Sequence, residues 1–226
     1  MSDVSGPDCQ LYLISPPRID DLGAFQKVLS EVLEAVPVAA FQLRLKDGHS
    51  LAPKLAKSSV VVQAAEAIFP TLRERGTLAL VNDSILLAAE TGADGVHLGQ
   101  GDGTVAEARE ALGANAIVGV TCHGSRELAF AAVEAGADYV AFGAFFPTQT
   151  KVVTSDHGGA APELELIEWW HEAMTVPCVA IGGITAGNAA PLVAAGADFL
   201  AVSSGVWGAS EPASAALELW RLCQEG

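Results

Sequence analysis

Two cations stand close together in the segment QLRLKD at 42–47, where Arg44 and Lys46 are separated by one leucine. At this spacing in a β-strand, both side chains point to the same side. In a closed barrel that side is the interior, where charged groups must be paired. Two interpretations follow: an internal salt bridge with carboxylates, or a diphosphate held by a guanidinium fork and an ammonium.

Two carboxylates, Asp83 and Asp102, come shortly after consecutive apolar runs that are typical of strands. Neighbouring strands lie about 4.8 Å apart, so these side chains could converge on one cation. Mg²⁺ suits two acidic ligands, because it keeps several waters and takes further oxygens from a phosphate. Either aspartate could instead cap a helix, and Asp83 stands just ahead of the apolar run ILLAA. The pair beside the two cations favours a Mg²⁺ site.

Hydroxyl groups and small residues follow the last three apolar runs. Thr148, Thr150 and Lys151 come after GAFFP, and the final two runs end in AIGGI and AVSSG. Small residues expose backbone N–H groups, and phosphate binding after the seventh and eighth strands recurs in α/β barrels. For the double glycine at 182–183, a tight turn without a ligand is the alternative.

Two histidines lie near these segments. His97 in GVHLGQ follows an alternating run, and we expect it to be a hydrogen-bonded structural residue. His123 in TCHGS is predicted to lie on a loop beside the other polar residues.

All these polar residues follow apolar runs bounded by turn residues, and segments with helical spacing separate the runs. Parallel strands joined by helical crossovers follow from this alternation. The eight runs lie at 11–14, 38–43, 77–81, 95–98, 116–120, 138–142, 177–181 and 199–202. The helical segments include Asp21–Val36, Leu55–Arg75, Ser125–Ala135 and Ala186–Ala195.

The motif Gly-Ala-Asp recurs where a helix ends and a strand begins, at 92–94, 136–138 and 196–198. Its glycine permits the left-handed turn that ends a helix. Eight such units predict a single-domain α/β fold, a (β/α)8 TIM barrel over residues 1–226, with 1–9 as a flexible N-terminal tail. An open doubly wound sheet is less consistent, since no GxGxxG motif follows the first run. In the barrel, reactive groups come from the carboxyl ends of the strands.

Charge and composition limit the partners. The net charge of −15 would repel nucleic acid and anionic membranes. The sequence has no signal-peptide pattern and no apolar run near the ~20 residues of a membrane span, so we expect a soluble, cytoplasmic protein. The four cysteines are scattered without CxxC spacing, which predicts reduced, mostly buried thiols.

The motifs resemble, in order, those of thiamine phosphate synthases from residue 11 to about 206. The matching segments are LYLI, QLRLKD, VND, GADGVHLGQGD, GVTCH, DYVAFGAFFPTQTK, VAIGGI and GADFLAVSS. The resemblance implies a Mg²⁺-dependent transferase of thiamine biosynthesis that joins a hydroxymethylpyrimidine diphosphate to a thiazole phosphate. Diphosphate would leave first, in a carbocation-like step that needs no side-chain nucleophile.

The resemblance also implies the site residues. Gln42, Arg44 and Lys46, with the backbone of Leu43 and Leu45, would bind the pyrimidine diphosphate, which Asn82, Thr121 and Lys151 would also contact. Asp83 and Asp102 would bind Mg²⁺. Thr148, Gln149, Thr150, Gly183, Ser203 and Ser204 would hold the thiazole phosphate. Arg44, Lys46, Lys151 and Thr121 would be the catalytic residues.

The chain departs from the family pattern at three places. Thr121 stands where the family commonly has serine, and Ser203 replaces a usual aliphatic residue. The segment 152–166 differs from the usual loop.

Two other functions are compatible with the same fold. A thiazole tautomerase of the same superfamily would use His123, but it would leave Asp83, Asp102 and Lys151 without a role. A noncatalytic barrel that binds a phosphate ligand would have no reason to keep both carboxylates. The expected partners are small-molecule substrates, and a homo-oligomer is compatible with the sequence.

Overall fold

A closed barrel of eight parallel strands forms the centre of the molecule. The computed structural model describes residues 9–47, 54–147 and 162–225. Around the barrel the strands are β1 (Gln10–Ile14), β2 (Ala40–Leu43), β5 (Leu78–Asn82), β6 (Gly95–Leu98), β7 (Ile117–His123), β8 (Tyr139–Gly143), β9 (Cys178–Ile181) and β10 (Phe199–Val202), which closes on β1. Strands β3 (Lys46–Asp47) and β4 (Lys54–Leu55) form a separate antiparallel pair. The predicted TIM barrel is confirmed, and each of the eight apolar runs overlaps one barrel strand.

Helices connect the strands and cover the outside of the barrel. They are α1 (Leu22–Ala35), α2 (Ser58–Glu74), α3 (Ile85–Thr91), α4 (Val105–Leu112), α5 (Arg126–Glu134), α6 (Leu164–Ala173), α7 (Ala190–Ala194), α8 (Ser204–Trp207) and α9 (Pro212–Cys223). Local side chains define where they begin. The Asp21 carboxylate accepts the Ala24 N–H at 2.9 Å, and Thr104 and Glu107 form a capping box.

The helix predicted over Ala186–Ala195 is shorter than expected, since α7 begins only at Ala190. Asn188 accounts for the difference. Its Oδ1 accepts the Thr185 N–H at 2.8 Å and its Nδ2 donates to the Gly183 carbonyl at 3.0 Å. These side-chain hydrogen bonds hold the preceding residues in a turn instead of a helix.

The barrel interior is a packed core rather than a channel. Its buried apolar lining includes Tyr12, Ile14, Leu80 and Tyr139. A Cβ at Gly119 would lie 1.8 Å from the Tyr139 ring, so this position must be glycine for the ring to fit. Because side chains fill the interior, a ligand has no room there and must bind at an end of the barrel.

The repeated Gly-Ala-Asp motif has one structure at all three places. Its glycines adopt positive φ angles of 62°, 90° and 88° at Gly92, Gly136 and Gly196, as the sequence predicted. Each aspartate also accepts a backbone N–H from the preceding barrel strand, a role that the sequence did not suggest. Asp94, Asp138 and Asp198 accept from Ala79, Val118 and Cys178 at 2.7, 2.6 and 2.7 Å. The amino end of the barrel is therefore stabilised by carboxylates.

Replacing Asp138 with alanine should lower stability without affecting the opposite end of the barrel. Asp138 accepts the Val118 N–H and also pairs with Arg109 at 2.8 Å. Its loss leaves a backbone N–H without a partner, and we expect the free energy of unfolding to fall by about 1–3 kcal/mol. Urea denaturation measures this change. Asp20→Ala, at an exposed pair with Arg18, is the control, and equal midpoints for both variants would contradict the prediction.

All four cysteines are buried as free thiols, as expected. Cys9 is among them, so it does not belong to the tail predicted for residues 1–9, and residues 1–8 lie outside the described part of the chain. No helix in the described ranges is long and apolar enough to cross a membrane.

Candidate active site

Two buried amides lie at the carboxyl ends of neighbouring strands β2 and β5. Gln42 is 2% exposed, and its Nε2 donates to Asn82 Oδ1 at 3.2 Å. Asn82 Nδ2 is buried and has no hydrogen-bond partner among the described residues. Because a buried N–H without a partner costs about 1–3 kcal/mol, such a group is suited to binding a ligand. The sequence predicted both residues as ligands of the pyrimidine substrate.

Arg44 and Lys46 follow the barrel strand instead of lying on it, which differs from the sequence-based expectation. Strand β2 ends at Leu43, and Lys46 begins the separate strand β3. Leu43 and Leu45 are buried in the core cluster. These two leucines anchor the segment that carries the two cations.

Lys46 forms an ion pair that connects two of the predicted groups. Its Nζ lies 2.5 Å from Asp83 Oδ2, across 37 residues of sequence. The salt-bridge interpretation therefore holds for Lys46 in the described structure, and its partner is a predicted metal ligand. Burial lowers the pKa of Arg44, and the nearby charge of Asp83 acts in the opposite direction. Two cations and a carboxylate thus share one region.

Asp83 is not a helix cap. Ser84 caps α3, since its side chain accepts the Leu87 N–H at 3.2 Å. Asp83 has a φ of 65°, and its backbone N–H donates to the His97 carbonyl at 2.8 Å. Burial acts to raise the pKa of Asp83, but the contacts with Lys46 and Asp102 and the charge of Arg44 together lower the pKa overall. The carboxylate is therefore ionised and directed into the site.

Asp102 lies in the loop between β6 and α4. Its carboxylate accepts the Gly99 N–H at 3.0 Å, and a Cβ at Gly99 would lie 2.6 Å from the same oxygen. Burial raises the pKa of Asp102, and the neighbouring Asp83 carboxylate raises it further. Thr104 caps α4, so Asp102 is not the cap either. Asp83 thus makes ionisation of Asp102 more costly, and a bound cation would offset that cost.

Asp83 and Asp102 could supply only two of the oxygen ligands of a Mg²⁺ ion. Among the described residues there is no group of three or more His, Cys, Asp and Glu side chains that could hold a metal ion. Two carboxylates alone suit an ion that keeps its waters and takes other oxygens from a phosphate. The donor set therefore fits Mg²⁺ together with a phosphorylated substrate.

A chain of hydrogen bonds runs beneath the site through the barrel interior. His97 Nε2 lies 2.8 Å from Thr121 Oγ1, and His97 Nδ1 lies 2.9 Å from the Tyr139 hydroxyl. The Tyr139 hydroxyl lies 3.0 Å from that of Tyr12. Burial raises the pKa of both tyrosines, which keeps them protonated. His97 is thus the structural residue that the sequence predicted, and it orients the hydroxyl of Thr121.

The ends of β9 and β10 are close to other backbone segments. Gly183 has a φ of 67°, and a Cβ there would lie 2.5 Å from the Pro147 carbonyl oxygen. Close packing thus requires glycine at this position. Ser203 Oγ donates to the Ser15 carbonyl at 3.1 Å, and Ser204 is exposed at the start of α8. Thr148, Gln149, Thr150 and Lys151 lie outside the described residues.

Comparison with known proteins identifies the family. A model of the family described as thiamine monophosphate synthase matches residues 11–206. The chain belongs to this family. It is 51% identical over 211 residues to a thiamine-phosphate synthase of Hyphomonas neptunium, covering 93% of this chain and 91% of that protein. A thiamine-phosphate synthase of Rhodospirillum centenum is 52% identical over 200 residues, covering 88% of this chain and 90% of the relative.

A solved structure agrees with this result. The thiamine phosphate pyrophosphorylase of Pyrococcus furiosus superimposes with a TM-score of 0.78 at 30% sequence identity, covering 97% of each chain. The thiamine phosphate synthase family predicted from the motifs is thus confirmed, and so is the transferase class.

Neither Gln100 nor Ser15 was predicted from the sequence to belong to the site. Gln100 Nε2 donates to the Thr121 carbonyl at 2.5 Å, which ties the β6 loop to β7. Ser15 accepts the Arg44 N–H at 2.9 Å. The position of Ser15 directly after the first apolar run could have indicated a role at the carboxyl end of the barrel.

Proposed function

We propose that this chain couples 4-amino-2-methyl-5-hydroxymethylpyrimidine diphosphate to 4-methyl-5-hydroxyethylthiazole phosphate, giving thiamine phosphate and diphosphate. Membership of the thiamine monophosphate synthase family supports this reaction. The observation that carries the proposal is the Lys46–Asp83 pair beside Arg44 and Asp102. Cations for a diphosphate and carboxylates for a metal meet at one end of the barrel.

The reaction breaks the bond between the pyrimidine methylene carbon and the diphosphate oxygen. The electron pair leaves with diphosphate, and the pyrimidine ring stabilises the resulting carbocation. The lone pair of the thiazole nitrogen then forms the new C–N bond. Charge develops on the leaving group, so Arg44, Lys46 and Lys151 would act by electrostatic stabilisation and positioning.

Asp83 and Asp102 would hold Mg²⁺, which would neutralise charge on the diphosphate. Lys46 contacts Asp83, so its ammonium lies beside a carboxylate that would hold the metal and could itself bind the leaving diphosphate. Burial of Arg44 strengthens its interaction with an anion, because the surroundings screen charge less than water does.

The remaining groups would orient the two substrates. Asn82 Nδ2 and the Thr121 hydroxyl, with Gln42 and the backbone at Leu43 and Leu45, would contact the pyrimidine substrate. The thiazole phosphate would bind Gly183, Ser203 and Ser204 together with Thr148, Gln149 and Thr150. Ser203 Oγ already donates to a carbonyl, so its contribution would come through the backbone.

Product formation from the two purified substrates, with Mg²⁺ and with a chelator in its place, tests the proposal. We expect thiamine phosphate and diphosphate in equal amounts, and only when the metal is present. Failure to form product in the presence of Mg²⁺ would contradict the proposal and would favour the noncatalytic phosphate-binding barrel.

The thiazole tautomerase alternative depends on His123, which ends β7 with a φ of 53° at the carboxyl end of the barrel. The proposed coupling needs no imidazole base. We therefore expect His123→Asn to keep turnover within about threefold of wild type, because asparagine tolerates this backbone conformation. Steady-state coupling kinetics measures it. A loss of several orders of magnitude would mean that the imidazole takes part in the chemistry.

The cytoplasmic location, the absence of nucleic-acid and membrane partners, and a homo-oligomeric state stay predictions from the sequence.

A further inference from the structure

The carboxyl end of β1 connects three parts of the barrel rim. Ser15 directly follows β1 and is 1% exposed. Its Oγ accepts the backbone N–H of Arg44 at 2.9 Å, and its own N–H donates to the Gln42 carbonyl at 2.9 Å. Its carbonyl accepts Ser203 Oγ at 3.1 Å. All three polar groups of Ser15 therefore bind segments that carry proposed substrate ligands.

The hydrogen bond to Arg44 lies where regular pairing stops. Strand β2 ends at Leu43, so the Arg44 N–H has no place in the barrel ladder and uses a side-chain acceptor. The hydroxyl of Ser15 is the group that receives it. This contact sets the backbone direction from which the Arg44 guanidinium and, two residues later, the Lys46 ammonium extend.

The carbonyl of Ser15 connects to the opposite side of the site. Ser203 follows β10, the strand that borders β1 on its other edge. In the same place, Trp207 Nε1 donates to the Ile14 carbonyl at 2.6 Å, which holds α8 against the end of β1. The segments that follow β2 and β10, the two neighbours of β1, are thus both hydrogen bonded to Ser15.

We propose that Ser15 is a positioning residue that sets the distance between the diphosphate side of the site, at Arg44, and the thiazole phosphate side, at Ser203. This inference rests on the proposed function for the identity of the two ligands. The polar groups of Ser15 already bind protein atoms, so Ser15 would act through Arg44 and Ser203 and not by contact with a substrate. Its effect arises because bond formation between two bound substrates tolerates little displacement, and a shift of about 1 Å can reduce the rate by about 100-fold.

Removing the hydroxyl tests this role directly. In Ser15→Ala the Arg44 N–H must remain unsatisfied or the segment must move. We expect binding of inorganic diphosphate with excess Mg²⁺, measured by calorimetry, to weaken about tenfold. The KM for the pyrimidine diphosphate should rise similarly and turnover should fall. Ser15→Thr, which keeps the hydroxyl, should restore diphosphate binding to within about threefold of wild type.

Ser30→Ala is the matched control, since Ser30 also makes one hydrogen bond through its hydroxyl, to the Gln26 carbonyl on α1. Its diphosphate affinity should equal that of wild type. Ser15→Ala with diphosphate affinity and turnover within twofold of wild type would overturn the proposal. A loss of thermal stability with unchanged diphosphate binding would also overturn it.

A measurement on the wild-type protein tests the Ser15–Arg44 hydrogen bond even if Ser15→Ala does not fold. Amide hydrogen exchange by NMR should show the Arg44 N–H protected, although it lies beyond the strand. Exchange at the rate of an unstructured peptide would overturn the proposal. The wild-type protein could bind diphosphate, with weaker binding in Ser15→Ala, and yet fail to catalyse coupling. That result would contradict the proposed function but would support the positioning role of Ser15.

Discussion

Asp83→Asn should reduce the rate of coupling by at least about 100-fold while leaving the barrel folded. Asparagine is the appropriate replacement because Asp83 has a φ of 65°, which asparagine tolerates and alanine does not. The substitution removes the negative charge that would bind Mg²⁺, and such electrostatic stabilisation is worth several kcal/mol in the transition state. A loss of about 3 kcal/mol corresponds to about 100-fold.

Turnover measured across a range of Mg²⁺ concentrations checks this expectation, with circular dichroism to confirm the fold. Asp20→Asn is the matched control, because its side chain is 82% exposed on the loop after β1, at the same end of the barrel. Near wild-type turnover of Asp83→Asn at limiting Mg²⁺ would show that the metal assignment is wrong. An equal loss in the control would point to a general effect of charge.

Lys46→Met should lower turnover by about 30- to 1000-fold. Methionine keeps much of the volume of the side chain but removes the ammonium, whose stabilisation of the leaving diphosphate is worth about 2–4 kcal/mol. A second effect follows from the structure. Since the ammonium of Lys46 lowers the pKa of Asp83, its removal raises that pKa and weakens the carboxylate as a metal ligand.

Steady-state kinetics with both substrates varied measures the turnover and the KM for each substrate. We expect the KM for the thiazole phosphate to change little, because Lys46 lies at the proposed diphosphate side. Lys27→Met, on the exposed surface of α1, is the control and should behave as wild type. Unchanged turnover with weaker thiazole phosphate binding would place Lys46 in the other phosphate site.

Asp83 illustrates where the sequence alone left a choice between a helix cap and a metal ligand. Aspartate suits both roles, so residue type could not decide between them. The backbone conformation decided it: Ser84 has the extended geometry of a cap, whereas Asp83 is left-handed. The capping residue and the proposed metal ligand are therefore adjacent in the sequence.

For Lys46 the sequence allowed a salt bridge with a carboxylate, but it did not identify Asp83 as the partner. The two residues are 37 positions apart, and the alternation in QLRLKD predicted that Arg44 and Lys46 would continue a strand. The strand instead ends at Leu43, and the lysine enters a separate ribbon. The periodicity of apolar residues indicates which face of a strand is buried, but it does not indicate where the hydrogen bonds between neighbouring strands end.

By itself, the sequence determined the order of strands and helices and the closed barrel, and it predicted a site at the carboxyl end of that barrel. These features depend on local signals: apolar runs, helix caps and the glycines that end α3 and precede β8 and β10. Only the tertiary structure decided that Ser15 connects Arg44 to Ser203, that Asp83 pairs with Lys46, and that His97 orients Thr121. Each of these contacts joins residues distant in the chain, and barrel closure with its particular register brings them together.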